Sequence, residues 1–428
     1  MKKLLFFPLF LFFIFGCSKT ENKDRVTIQY SLWGDPSEIK IAREIVNEFK
    51  KQNPKINVEI LHIPGVSYHD KLMTMIAGNN APDVMTICEV FYPGFAEKKV
   101  LVNVDELIEK DTVFKKEFLA DVYKNILEHY KFNNILYGLP KGHNPFVIYY
   151  NKTLFDKDKV PYPKDDWTLD DFLKTCIALT KDTNNDKRID QFGYIIGGGF
   201  ADIGLAIWPV GGEILNNQGT KCLLNTSESI QGLKWMVDLR LKYGVVPAIA
   251  QLRDQSSDDL FKTGKLAMFS SGRWSIGVLK NVKFKWDIVM LPHGKNNYTL
   301  NLGNIWCISN QTRHLEESWR FLKFLVSKFS QEAMCKGGND IPVLKSVVNS
   351  NIFLNPEELP NNKQAFIKSI PNSKFMIMHP KYFEISDTIQ KTLEKTLMGQ
   401  LDVKIAANEM ADAVNRILDD YNRNKSTK

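Results

Sequence analysis

The chain has 428 residues, enough for two or three domain-sized bodies with cores of their own. With 44% hydrophobic and 25% charged residues, its composition fits neither a disordered chain nor a membrane bundle. The formal charge of +7 is mild for this length, and no Lys/Arg cluster is interleaved with aromatics, which argues against a nucleic-acid partner.

Lys2 and Lys3 precede an apolar run, Leu4 to Phe15, that is too short to span a bilayer and reads as a signal peptide. Ile14 to Cys17 resembles a bacterial lipobox, which implies that residues 1–16 are removed and that Cys17 becomes the acylated N-terminus. Phe15 departs from the small residue usual at its place. Residues 17–24 then form a polar tether. Without Lys2 and Lys3, 54 basic residues face 49 acidic ones, a charge of +5. No later segment approaches eighteen apolar residues, so acyl chains alone are expected to hold the protein at a membrane. The other five cysteines are odd in number and include no CxxC, so neither a disulfide framework nor a metal site is signalled. No cofactor is called for.

Val26 to Trp33 reads as a strand, and Asp35, Pro36 and Glu38 open a helix with a capping box. Ile41, Ala42, Ile45, Val46 and Phe49 continue it at helical intervals until Asn53-Pro54. Ile56 to Ile60 predicts a strand, Tyr68 to Ala77 a helix and Asp83 to Ile87 a third strand. Two βαβ units imply a parallel sheet, with ligands beyond the carboxyl ends of its strands. Those ends are Trp33 to Asp35 and Cys88 to Tyr92. Phe95 to Lys131 is mostly helical.

Gly138 to Pro145 reads as a turn leading into a continuous apolar strand, Phe146 to Tyr150. A helix capped by Thr168 runs to Leu179. Asp182 to Asp190 has the spacing of an EF-hand loop, but Lys187 and Gly193 stand where Gly and Glu belong, so it reads as a solvated turn. Phe192 to Ile196 predicts a strand ending in Gly197 to Gly199. Ala206 to Val210 leads to Gly211-Gly212, and Ser229 to Tyr243 predicts a helix. Leu260 to Ser275 reads helix, turn, strand and turn. Trp286 to Pro292 and Leu300 to Ser309 predict strands, and Glu316 to Phe329 a helix. After a loop from Gly337 to Val343 the remainder is helical, closing with Val403 to Tyr421.

Eight strings, in order, resemble the extracellular solute-binding proteins of sugar-type ABC importers, the class of maltose-binding protein. They are Leu32 to Gly34, Ala81 to Val84, Leu139 to Phe155, Gly211 to Glu213, Lys242 to Val245, Phe261 to Met268, Gly272 with Trp274, and the terminal helix around Ala406 and Ala407. The resemblance implies an α/β fold of the periplasmic-binding-protein type II, two lobes joined by a three-crossing hinge. Lobe one would be 25–141 and 302–341, and lobe two 145–298 and 345–428, with hinge crossings near 139–145, 292–302 and 341–345. It also implies a monomer that closes on a sugar or oligosaccharide and delivers it to permease subunits outside the cytoplasm.

A sugar has apolar C–H faces and a rim of hydroxyls, so its site needs flat aromatics beside polar side chains. Trp33 with Asp35, Glu89 with Tyr92, His143 with Asn144, Trp208, Trp274, and Asn304 with Trp306 supply both. Asp35 fits a helix cap equally well, and His143 fits a hinge histidine bonded to backbone. Trp208 and Trp274 follow glycine-marked turns near expected strand ends. Trp167, Trp235, Trp286 and Trp319 read as core. A secreted glycosidase is the competing class, but no hydrolase motif or phosphate loop occurs. A phosphorylated polyol, a polyamine or a peptide would keep the fold and change the ligand, and Arg273 beside Trp274 leaves the anionic option open. If Cys17 is acylated, the native chain will partition into membranes and Cys17→Ser will be soluble or unprocessed. Equal partitioning would refute the anchor.

Overall fold

The computed structural model describes residues 25–196, 199–251, 256–338 and 340–426, to which every statement below refers. The signal peptide, Cys17, the tether, and Gly197 with Gly198 lie outside them.

β1 (Val26–Leu32) turns into α1 (Pro36–Gln52) through the expected capping box. Asp35 Oδ1 accepts from the Ser37 and Glu38 amides at 2.7 and 3.0 Å, and the Glu38 carboxylate accepts from the Asp35 amide at 3.0 Å. Ile39, Ala42, Ile45, Val46 and Phe49 form one buried face. β2 (Ile56–His62), α2 (Tyr68–Ala77) and β3 (Val84–Cys88) complete two parallel pairings, with β1 between β2 and β3. Four short helices follow: α3 (Tyr92–Glu97), α4 (Val104–Lys110), α5 (Thr112–Asp121) and α6 (Lys124–His129). The hairpin of β4 (Lys131–Phe132) and β5 (Ile135–Leu136) ends this part.

The expected turn at Gly138 to Pro145 is instead a strand, β6 (Leu139–Pro145). It ladders fully with only one neighbour, an edge position where the missing donors of Pro140 and Pro145 cost little. β7 (Val147–Asn151) follows as the middle of a second sheet. Val147 and Tyr149 enter one core, while Ile148 and Tyr150 enter another, which explains the unbroken apolar run.

α7 (Lys152–Asp158) and α8 (Leu169–Leu179) come next, the latter opened by a Thr168–Asp171 capping box. In the Asp182–Asp190 turn, Asp182 accepts from the amides of Asp186 and Lys187 at 3.2 and 2.7 Å. The strand expected at Phe192–Ile196 does not form. Phe192 makes a single bridge to Leu266, and Gly193 lies against the backbone of Cys176, where a Cβ would meet a carbonyl at 2.3 Å. The segment is therefore pinned to α8 rather than laddered.

α9 (Phe200–Ile207), α10 (Ser227–Leu241) and α11 (Ser257–Lys262) pass to β8 (Met268–Ser271), α12 (Ser275–Leu279) and β9 (Trp286–Val289). β7 pairs antiparallel with both β8 and β9. β10 (Thr299–Ile308) then crosses back and pairs antiparallel with β6 and β3. α13 (Leu315–Leu325) and α14 (Lys328–Gly337) divide the single helix expected over 316–329, because Ser327 leaves helical geometry and caps the second piece. α15 (Lys345–Val348), α16 (Gln364–Ser369), a short strand β11 (Ser373–Phe375) beside β10, α17 (Tyr382–Leu397) and α18 (Val403–Ser426) finish the chain.

The result is a mixed sheet ordered β11-β10-β3-β1-β2, a three-stranded sheet, and helices packed on both. After Ile341 the chain does not pass at once to the far side. Leu344 bridges Val122 and the Ser346 amide donates to Asp121 at 2.8 Å, while Asn362 and Lys368 reach Asp165. Residues 344–368 thus straddle the boundary expected at 345.

Gly232 of α10 lies on α9, where an added Cβ would meet Ile207 Cα at 2.5 Å and the Ala206 carbonyl at 2.6 Å. Helix propensity alone favours Ala here by about 1 kcal/mol. The contact should win: Gly232→Ala should lower stability by about 1–3 kcal/mol, read as a lower melting temperature.

Candidate functional site

A cleft of about 860 Å³ opens between the two sheets, within the range of roughly 300–1,000 Å³ usual for ligand pockets. The carboxyl ends of β1, β3 and β10's Leu302–Asn304 line one side. The other side is formed by the start of α9, Trp274, Met376 and one face of α17, represented by Tyr382, Ser386 and Gln390.

Six of the ten expected residues meet there: Trp33, Asp35, Glu89, Asn144, Trp274 and Asn304. Trp33 is half-buried, its ring tilted on Tyr68 at 4.7 Å and His69 at 5.2 Å. Trp274 faces it from the other side, edge-on to Phe146 at 5.5 Å. Gly272 is required beneath it, because a Cβ there would run into the indole at 2.2 Å. Asp35 is both the α1 cap and an exposed cleft residue, and the Glu38 amide donating to it holds its carboxyl below the usual range.

Glu89 is 1% exposed, and burial pushes its carboxyl up. Its Oε2 accepts from the Gly303 amide at 2.8 Å and lies 3.7 Å from His129 Nε2, while Oε1 has no hydrogen-bond partner. Asn144 is held in place by three hydrogen bonds. Its amide donates to Asn301 Oδ1 at 2.8 Å, its Nδ2 donates to Asp340 Oδ1 at 2.8 Å, and its Oδ1 accepts from the Arg273 amide at 3.3 Å.

Four expected residues lie elsewhere. Tyr92 is wholly buried and donates its hydroxyl to the Tyr130 carbonyl at 2.8 Å, because it faces the core from the first turn of α3. Trp306 shares Asn304's face of β10 but sits two residues deeper, under Ile41, Ala42 and Met334, with its indole donating to Tyr30 at 2.9 Å. His143 alternates away from Asn144. Its backbone exchanges hydrogen bonds with Ile341 at 3.1 Å each way, and burial pushes its imidazole down to about 3. Trp208 follows α9 in a single 3-10 turn rather than a strand end. It is buried over Gly204, beneath the Lys374 ammonium at 5.7 Å. It borders a second pocket of about 770 Å³.

Sequence reasoning missed Lys141 and Asp340, an ion pair on the cleft floor. A register shift between Asn304 and Ile305 leaves Lys141 as the extra residue of β6, which is why Lys141 and Asn144 both reach the cleft despite opposite parity. Burial works against the charge of Asp340, but the Lys141 ammonium outweighs it and holds the carboxyl below the usual range. Glu38, Phe200 and Met376 were also missed. Tyr382, Ser386 and Gln390 recur every four residues, a helical stripe that the sequence does carry.

The model of the bacterial extracellular solute-binding proteins matches residues 34–332. The chain belongs to this family. Among its relatives are a galactooligosaccharide-binding protein of Bacillus subtilis, 22% identical over 89% of this chain and 87% of its own length. A maltotriose-binding protein of Pyrococcus abyssi is 24% identical over 87% and 78%. Among solved structures, an ABC substrate-binding protein of Listeria monocytogenes in complex with cycloalternan superposes with a TM-score of 0.83. It is 27% identical and covers 92% of this chain and 99% of its own. The family consists of solute-binding proteins, and the fold is the two-lobed type of maltose-binding protein.

The two tryptophans separate site from core. Trp306→Ala should cost about 3–5 kcal/mol of stability. Trp274→Ala should leave the ligand-free melting temperature near that of the native chain while removing most ligand-induced stabilisation. Calorimetry of both variants, with and without ligand, reads the difference.

Proposed function

We propose that this family member is the substrate-binding lipoprotein of an ABC importer, capturing a sugar or oligosaccharide between two closing lobes. The observation that carries the reading is the pairing of Trp33 and Trp274 across one cleft with amides and carboxylates around them. Flat apolar faces and hydrogen-bonding rims are what a pyranose presents. The galactooligosaccharide- and maltotriose-binding relatives and the cycloalternan complex support it.

In this reading Trp33, Asp35, Glu89, Asn144, Trp274 and Asn304 contact the ligand. Lobe one spans 25–141 and 302–341 and lobe two 145–298 and 345–428, with 344–368 touching both, and the segments near 139–145, 292–302 and 341–345 flex between them. Ligand favours the closed state because only there do both aromatic walls touch it. An acylated Cys17 keeps the receptor beside its permease outside the cytoplasm, as a monomer without catalytic activity.

Saturating sugar should raise the melting temperature, with about 2.7 kcal/mol of added stability at a hundredfold excess over Kd. Small-angle scattering should show the same sugar reducing the radius of gyration. A broad sugar panel that changes neither quantity would refute the reading.

A further inference from the structure

The cleft carries a charge opposite to that of the chain around it. The whole chain is +7, yet the acidic side chains lining the cleft are Asp35, Glu38, Glu89 and Asp340, and its one basic side chain is Lys141. Clefts lined by one sign focus their field on whatever enters.

Each cation that could seat an anion there is already paired, and each helix N-terminus on the cleft already carries a carboxylate. The Lys141 ammonium rests on the Asp340 carboxylate. Arg273 turns from the cleft, 7% exposed, and donates to the carbonyls of Asp340 at 2.8 Å and Cys335 at 2.9 Å. Two helix N-termini open on the cleft, a geometry that ordinarily binds phosphate or carboxylate. Asp35 caps α1, and Asp202 Oδ2 accepts from the Gly199 amide at 3.0 Å at the start of α9.

One group is left open. Glu89 Oε1, on a side chain 1% exposed, lines the cleft without a hydrogen-bond partner. A buried acceptor left unmade is costly, so it favours a ligand that brings a donor and opposes one that brings a second negative charge.

We propose that the cleft is a charge filter that admits sugars without acidic groups and rejects uronates and sugar phosphates, with Asp340 as the specificity-determining residue because it cancels Lys141. The proposal rests on the sugar reading and narrows it. It removes the phosphorylated polyol from the candidate ligands. Rejection of this kind comes from juxtaposed like charge rather than from missing contacts.

The test is calorimetric titration of the full chain with matched sugars: galactose against galacturonate, glucose against glucose 6-phosphate, and neutral oligosaccharides against their uronate counterparts. Each anionic member should bind at least about a hundredfold more weakly than its neutral partner. Asp340→Asn, nearly identical in shape, should uncover Lys141 and narrow that ratio about tenfold or more. Should Asp340→Asn fail to fold, Glu89→Gln replaces one cleft carboxyl at a second place and should narrow the ratio as well. An anionic sugar that binds the native chain as tightly as its neutral partner overturns the filter alone, as does an unchanged ratio in a folded variant. If no member of the panel binds, the sugar reading and the filter fall together.

Discussion

Asp340 ties β6 to the turn that carries Trp274. Its Oδ1 accepts from Asn144 and its Oδ2 meets Lys141, both on β6, while its backbone carbonyl accepts from Arg273 next to Trp274. The three donors come from β6 and from the turn that carries the far wall of the cleft. Burying Lys141 and Arg273 here is tolerable only because each finds oppositely polarised partners. The carboxylate that neutralises the floor of the cleft therefore also holds β6 and the Trp274 turn around it, so that the charge of the cleft and its geometry share one set of atoms.

Much of this architecture is legible in the sequence where local chemistry decides the outcome. Asp35 and Thr168 cap their helices as their neighbours dictate, and the two parallel pairings follow from strand and helix periodicity. The errors arise where tertiary context overrides a local signal. Gly138 to Pro145 carries turn residues yet forms an edge strand, because β10 supplies a partner more than 150 residues away. Trp306 and Asn304 look equivalent by alternation, but Trp306 is buried and bonded to Tyr30 while Asn304 stays half-buried at the cleft. Tyr92 follows the strand end closely enough to suggest a ligand contact, but α3 begins there and turns it inward. The bulge that brings Lys141 to the cleft leaves no mark in its own residues.

The aromatic walls are held by different means. Trp33 leans on Tyr68 and His69 of α2, rings that are themselves buried. Trp274 sits over a glycine, with its edge contact to Phe146 at the start of the second sheet. Each wall is thus anchored in its own layer, and nothing in the packing of one depends on the other. That independence would let the separation of the two surfaces change while their shapes do not.

β10 has a consequence for how the molecule is made. The sheet begun by β1, β2 and β3 gains its neighbour on the β3 side only from Asn304–Ile308, and β11 joins still later. Between β3 and β10 the chain builds a whole second sheet and several of its helices. A polypeptide synthesised as far as residue 298 has therefore produced the first sheet with one of its central strands absent, and its edge at β3 exposed. Closing a loop of that length adds little to the equilibrium cost, since the entropy grows only with the logarithm of length, but such non-local pairing is slow to form. Productive assembly of the first half accordingly waits on the second, which keeps the nascent chain open until most of it exists.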